Sequence, residues 1–198
     1  EFLVKYLGNK VDFTIYCSSV DQKGKPLEYK GAKLKYYNIT SHGGKGILFD
    51  CISLVDAVRG DFDVIVILGF GPGFVMPFLS KKTKDKIILN FGGLDWKRDK
   101  WSKKAQQVIK TCEKLLVRNS KIIVSDNSKI QDYVTETYHK PSELIAYGGN
   151  QVHRLPVTEE LVSKYPFLKA KYAFEVARIQ SDNNIEMLMQ AFIKADKY

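Results

Sequence analysis

Short apolar runs alternate with helix-period patterns along most of this chain. VDFTIYC (11–17) and AKLKYYNI (32–39) are rich in β-branched and aromatic residues and predict strands. GILFDCISLVDAVRG (46–60) puts Ile47, Leu48, Cys51, Leu54, Val55 and Val58 on one helical face, and Gly60 closes it. DVIVIL (63–68), KIILNF (86–91) and KIIVS (121–125) are continuous apolar runs, the signature of strands covered on both faces of a parallel sheet. KAQQVIKTCEKLLVR (104–118) predicts an amphipathic helix with Val108, Ile109, Cys112, Leu115 and Leu116 inward. Helix KIQDYVTETY (129–138) and strand ELIAY (143–147) follow. From Asn150 to Lys171 the pattern breaks around Pro156 and Pro166, which predicts a linker. YAFEVAR (172–178) then predicts a strand, and NNIEMLMQAFIKA a helix with Ile185, Leu188, Met189 and Phe192 inward.

This alternation with short links predicts an α/β doubly wound parallel sheet, in which ligands bind beyond the carboxyl ends of the strands. The loops at those ends are YCSSVDQKG, ITSHGGKG, LGFGPG, NFGGLDWKR, SDNS and YGGNQV. Gly-Gly occurs at 43–44, 92–93 and 148–149, three times on one expected rim, and glycine admits close backbone approach to a ligand.

Composition narrows the function classes. The chain has 198 residues, 44% hydrophobic and 27% charged, as in an ordinary globular protein, and no apolar run is long enough to span a membrane. The N-terminus lacks the sections of a signal peptide. Cys17, Cys51 and Cys112 are odd in number and lie in apolar runs, which points to buried, reduced thiols in a cytosolic setting. There is no CxxC, HExxH or paired Cys/His spacing, so no structural metal is expected. Of a net charge of +9, Lys81–Lys110 carries ten Lys/Arg against three Asp, a concentration that fits an anionic partner such as nucleic acid, a phosphorylated ligand or an acidic membrane.

The loops hold the candidate chemistry. LGFGPG is a weak dinucleotide signal, because Pro72 interrupts it and no acid follows the next strand to hold a ribose. His42 in SHGGKG is a candidate base or phosphate ligand, balanced by the reading of an exposed loop histidine; His139 and His153 lie in polar loops without partners. Asp126 and Asn127 of SDNS fit helix capping first, with a polar ligand at the helix start as the alternative. In DWKRDKWS the indoles of Trp96 and Trp101 serve equally as sugar platforms or as structural anchors, and Arg98 can grip a phosphate bidentately. No Ser/His/Asp or GxSxG pattern is present.

NFGGLDWKRDKWS, followed by a helix, IIVSDNSKIQDYV and IAYGGN, resembles the bacterial rhamnosyltransferase-like group of retaining, family 4 GT-B glycosyltransferases. In that group the stretch reads approximately N-x-D-G-L-E-W-K-R-x-K-W. EFLVKYL is similar to the group's first helix, and YAFEVARIQSDNNIEMLMQAF to the start of its donor domain. Gly92 replaces the group's Asp, Asp95 its Glu, and Asn184 a frequent Lys, while the histidine common after a central strand has no counterpart.

The resemblance implies a Rossmann-like acceptor-side domain over 1–165 and the start of a donor domain over 166–198. It implies transfer of a sugar, rhamnose in that group, from a nucleoside diphosphate sugar to a lipid-linked glycan. That chemistry would take place in the cytoplasm, peripheral to the inner face of the membrane, with no metal and no cofactor. On this reading the fragment alone is inactive, and no catalytic residue is assigned. Gly92, Gly93, Asp95, Trp96, Lys97, Arg98, Asp126 and His42 line the acceptor cleft, and Arg178 reaches the donor diphosphate. The one D-x-D match, Asp61 and Asp63, opens a strand and so falls at the wrong end of the sheet for a metal-diphosphate site.

The alternative is a nucleic-acid or anionic-membrane-surface binding module without catalysis, which basic residues on one continuous face would favour over a cleft. An epimerase or reductase fits poorly: its Tyr-x-x-x-Lys pair occurs only at Tyr6/Lys10 and Tyr165/Lys169, by the chain start and across Pro166.

Overall fold

The computed structural model describes residues 2–149, 152–179 and 183–195. It forms two compact units, one of Glu1–Trp96 with Lys103–Ala146, the other of Lys97–Ser102 with Tyr147–Tyr198. Asn150 and Gln180, Ser181 and Asp182, which carry parts of the glycosyltransferase-like motifs, lie outside the described residues.

In the first unit, helix α1 (Phe2–Leu7) leads to β1 (Thr14–Ser18), β2 (Glu28–Tyr29) and β3 (Ala32–Tyr37). β1 and β3 pair in parallel, and β2 adds antiparallel to β3 through a two-residue turn at Lys30–Gly31. Helix α2 (Gly43–Arg59) carries the chain from the carboxyl end of β3 to β4 (Ile65–Ile67). A 3₁₀ helix (Gly71–Phe78), α3 (Lys81–Lys84), β5 (Ile87–Phe91), a short 3₁₀ turn (Asp95–Lys97), α4 (Lys103–Asn119), β6 (Ile122–Ser125), α5 (Ser128–Tyr138) and β7 (Glu143–Leu144) follow. β4, β5, β6 and β7 form a four-stranded parallel sheet in that order. The fold is α/β and Rossmann-like, with its strands divided between two sheets.

The core sits under one face of the four-stranded sheet. Ile67, Ile87, Leu89, Phe91 and Ile123 pack with Leu54, Met76, Cys112, Leu116, Val117, Ile130 and Val134 from the helices. Phe70, Phe91 and Tyr133 continue this packing as successive edge-to-face aromatic pairs. Helix α2 also ties the smaller sheet, because Asp56 accepts hydrogen bonds from the Tyr16 hydroxyl (2.8 Å) and the Lys35 ammonium (2.6 Å).

Several expectations are corrected. β4 is covered on one face only: Ile67 is buried, while Val64, Val66 and Leu68 are exposed, since all four helices that feed the core lie on the other side. In α2, Phe49 is buried and Leu48 exposed; in α4, Val108 is exposed and Glu113 is fully buried. The expected strand ELIAY pairs only at its first two residues.

The second unit departs further. YAFEVAR forms no strand, and the expected linker contains α6 (Glu159–Lys164), N-capped by Thr158, and a 3₁₀ helix (Pro166–Lys169). Helix α7 (Ile185–Ala195) forms, but Leu188, Met189 and Phe192 are exposed instead of inward. Among the described residues of this unit none is buried.

Candidate functional site

At the carboxyl ends of β1 and β3, Asp21 binds the two following loops together. Its carboxylate accepts from the Thr40 hydroxyl (2.8 Å), the Ser41 amide (2.6 Å) and the Ser41 hydroxyl (2.8 Å). These donors, the Ser41 amide foremost, hold the Asp21 carboxyl well below the usual carboxylate range. His42 stands at the N-cap of α2 without a capping bond from its side chain; its ring is 81% exposed, with Nε2 3.9 Å from Asp21. The sequence singled out His42; the structure makes Asp21 the organising group of this loop pair.

The end of β4 leads into a close contact. Gly71 lies against the Asp50 carboxyl on α2, where an added Cβ would come within 2.0 Å of Oδ2. Burial pushes Asp50 up to about 6. Gly73 rests on the backbone of Cys112 in α4, where a Cβ would meet Cα at 2.4 Å. Gly71 and Gly73 of LGFGPG are therefore there for packing between helices, whereas a Cβ at Gly69 would meet nothing within 4 Å. Burial also raises the Cys112 thiol to about 11, so it is an inert core group. Asp50 escaped the sequence reading because nothing in its helical neighbours marks it.

β5 ends at the Gly92–Gly93 turn. Gly93 has φ +150°, and a Cβ there would meet nothing within 4 Å, so the turn is open and its backbone accessible. Phe91 pairs with Ser125, so Gly92 and Asp126 are the first residues to leave these neighbouring strands, at the same end of the sheet. Asp126 accepts from Asn127 Nδ2 (2.7 Å), while Asn127 Oδ1 caps α5 by accepting from the Ile130 amide (3.0 Å). Capping thus falls to Asn127, leaving half-buried Asp126 on the rim.

Asp95 is exposed and Trp96 half-buried. Lys110 Nζ stands 3.8 Å from the Trp96 ring centroid, so one indole face is already occupied. Below this turn, fully buried Glu113 accepts from the hydroxyls of Tyr133 (2.8 Å) and Tyr138. Burial raises Glu113, and the two tyrosine donors oppose the rise. A single acid in an amphipathic helix pattern reads as solvent-facing, so this cluster leaves no mark in the sequence pattern.

Lys97 and Arg98 belong to the second unit. There the Trp101 amide donates to the Arg98 carbonyl (3.1 Å), and Lys100 stands 5.0 Å from the Trp101 ring centroid. Arg98 is half-buried, Lys97 exposed, and both are engaged. Arg178 is exposed, its carbonyl accepting from Asn183 Nδ2 (2.6 Å). The structure therefore brings Gly92, Gly93 and Asp126 onto one rim, with Asp95 and Trp96 continuing from that turn. It places His42 on the β3 loop and Lys97, Arg98 and Arg178 in the other unit. Asp61 and Asp63 precede β4, at the opposite end of the sheet from the rim.

A family model described as "Domain of unknown function (DUF1972)" matches residues 1–150. No curated protein matches the chain.

Proposed function

The chain belongs to the DUF1972 family, and on that premise we propose that it is the acceptor-side part of a glycosyltransferase. It moves a sugar, rhamnose by the motif resemblance, from a nucleoside diphosphate sugar to a lipid-linked glycan at the inner face of the cytoplasmic membrane. The observation that carries this reading is the Gly92–Gly93 turn, open at Gly93, at the carboxyl end of β5, beside Asp126, which directly follows β6. A parallel sheet presents its ligand site at that end. A carboxylate there can accept hydrogen bonds from sugar hydroxyls, and an open glycine backbone admits a pyranose ring. In the second unit, taken by itself, Arg98 has a planar fork suited to phosphate, and the motif resemblance makes Arg178 a contact to the donor diphosphate. Stabilising the departing diphosphate is the electrostatic task that governs such a transfer.

The test is sugar transfer by the complete gene product, with a panel of labelled nucleoside diphosphate sugars and membranes carrying lipid-linked glycan. One donor should be used, and Asp126→Ala should lose that transfer while still folding. Absence of transfer from every donor overturns the reading.

One observation favours the second reading, a non-catalytic module for anionic surfaces. The charged residues exposed on α4, Lys103, Lys104, Lys110, Lys114 and Arg118, are all cationic. A chain that transfers no sugar yet binds anionic surfaces strongly would establish it.

A further inference from the structure

Residues 71–121 hold thirteen Lys/Arg against four Asp/Glu, which equals the whole net charge of the chain. Of those four acids, Glu113 is fully buried, and Asp85 stands 3.9 Å from Lys121. Helix α4 has no other acid, so every exposed charge on it is cationic, with Gln107, Val108 and Thr111 exposed among them.

The 3₁₀ helix Gly71–Phe78 packs on this helix, with Gly73 on Cys112. Its buried side is Pro72, Gly73 and Met76; Phe74, Pro77 and Phe78 are exposed, Phe78 by 87%. Phe74 and Pro77, three residues apart, eclipse on one side of the 3₁₀ helix, and exposed Phe78 projects from its C-terminal end, so the three form an outward apolar ridge. The chain then passes directly to exposed Lys81 and Lys82 on α3.

Leaving two phenylalanines in water next to a cationic helix stabilises nothing in the folded chain. We propose that this ridge and the α4 cations are a docking surface for an anionic lipid bilayer, with Phe74 and Phe78 entering the interface while the lysines meet the headgroups. Charge complementarity selects an anionic partner, and the outward ridge selects a bilayer. Apolar side chains on a projecting helix can sink into a deformable interface, whereas single-stranded nucleic acid is held in a basic groove with aromatics as stacking platforms. The inference deepens the proposed function by naming the surface that meets the membrane, and depends on it only for the lipid-linked acceptor.

The experiment is sedimentation of the 198-residue chain with vesicles of phosphatidylcholine alone and of phosphatidylcholine mixed with phosphatidylglycerol. Binding should require phosphatidylglycerol and fade as salt shortens the screening length. Lys104→Glu and Lys114→Glu should each weaken it at least about fivefold, the weight of one cation at such a surface. Phe78→Ser should weaken it about tenfold, because an interfacial phenyl ring is removed, and at so exposed a position the fold is kept. Equal binding to neutral vesicles overturns the proposal, as does unchanged binding of Phe78→Ser. Tighter binding of a single-stranded RNA oligonucleotide than of anionic vesicles at the same salt also overturns it. Vesicle binding involves no sugar transfer, so the failure of either proposal is seen without the other.

Discussion

Asp50 shows how a single residue can set the acid response of this fold. Its carboxyl is wedged against Gly71, and burial holds it at about 6. Below about pH 4 the group is protonated in folded and unfolded chains alike. As pH rises from there to about 6, the unfolded chain ionises while the folded chain keeps its proton, so stability falls by about 3 kcal/mol. Asp50→Asn should therefore raise the melting temperature at neutral pH and flatten its decline between those values; thermal unfolding followed across pH checks this. Asp21 acts with the opposite sign: its lowered carboxyl adds stability at neutral pH that is lost on acidification. Arg98 is a different kind of residue, and its prediction concerns turnover. On the proposed transferase reading, Arg98→Ala in the complete gene product should cut sugar transfer about ten- to a hundredfold, the weight of a charged hydrogen bond, with little change in melting temperature. Arg98→Lys keeps the charge and loses the planar fork, so an intermediate rate is expected in the same kinetic assay. At this scale the sequence is a partial guide. Gly92, Gly93 and Asp126 were legible because turn chemistry and strand ends are local. Asp50 and Glu113 were not, because their burial arises from helices that meet only in three dimensions.

Elements were more legible than residues, since apolar periodicity is itself an element-scale signal. β3, β5, β6, α4 and α5 formed close to where the pattern put them. What the pattern could not supply was which side of an apolar strand is covered. VIVIL reads as doubly buried, yet Val66 and Leu68 face outward. The 3₁₀ helix at Gly71–Phe78 was also hidden, because Pro72 and Pro77 disguise it as a turn. Its packing yields an element-scale prediction. Gly73→Ala would press a Cβ into the Cys112 backbone, and a helix backbone cannot yield as a side-chain tip can. Chemical denaturation should show a loss of about 1–3 kcal/mol, the range of overpacked cores. By comparison Asn127→Ala, which removes the α5 cap bond and an exposed hydrogen bond to Asp126, should cost about 1 kcal/mol. The order of these two costs is the test: a milder effect at Gly73 than at Asn127 would mean that the 3₁₀ helix moves freely over α4.

At the scale of the whole molecule the two units differ in what holds them. Among the described residues, every buried apolar side chain lies between Val4 and Val134. In residues 152–179 and 183–195 none is buried, and Phe174, Val176, Ile179 and Ile193 are each more than 70% exposed. Hydrophobic burial is the main favourable term in folding, so cooperative unfolding belongs to the first unit. YAFEVAR, β-favouring in sequence, forms no strand for the same reason: such a segment becomes a strand only where a sheet edge is present to pair with it. A chain ended after Ala146 should therefore melt within about 2 °C of the 198-residue chain, since less than about half a kcal/mol of packing is removed. Amide hydrogen exchange should agree, with protection concentrated in β5, β6, α4 and α5 and little in α6 or α7. The truncation and the exchange measurement answer the same question independently. A drop of about 10 °C on truncation, or strong protection in α7, would show that the second unit contributes core to the fold, against the exposure of its apolar side chains.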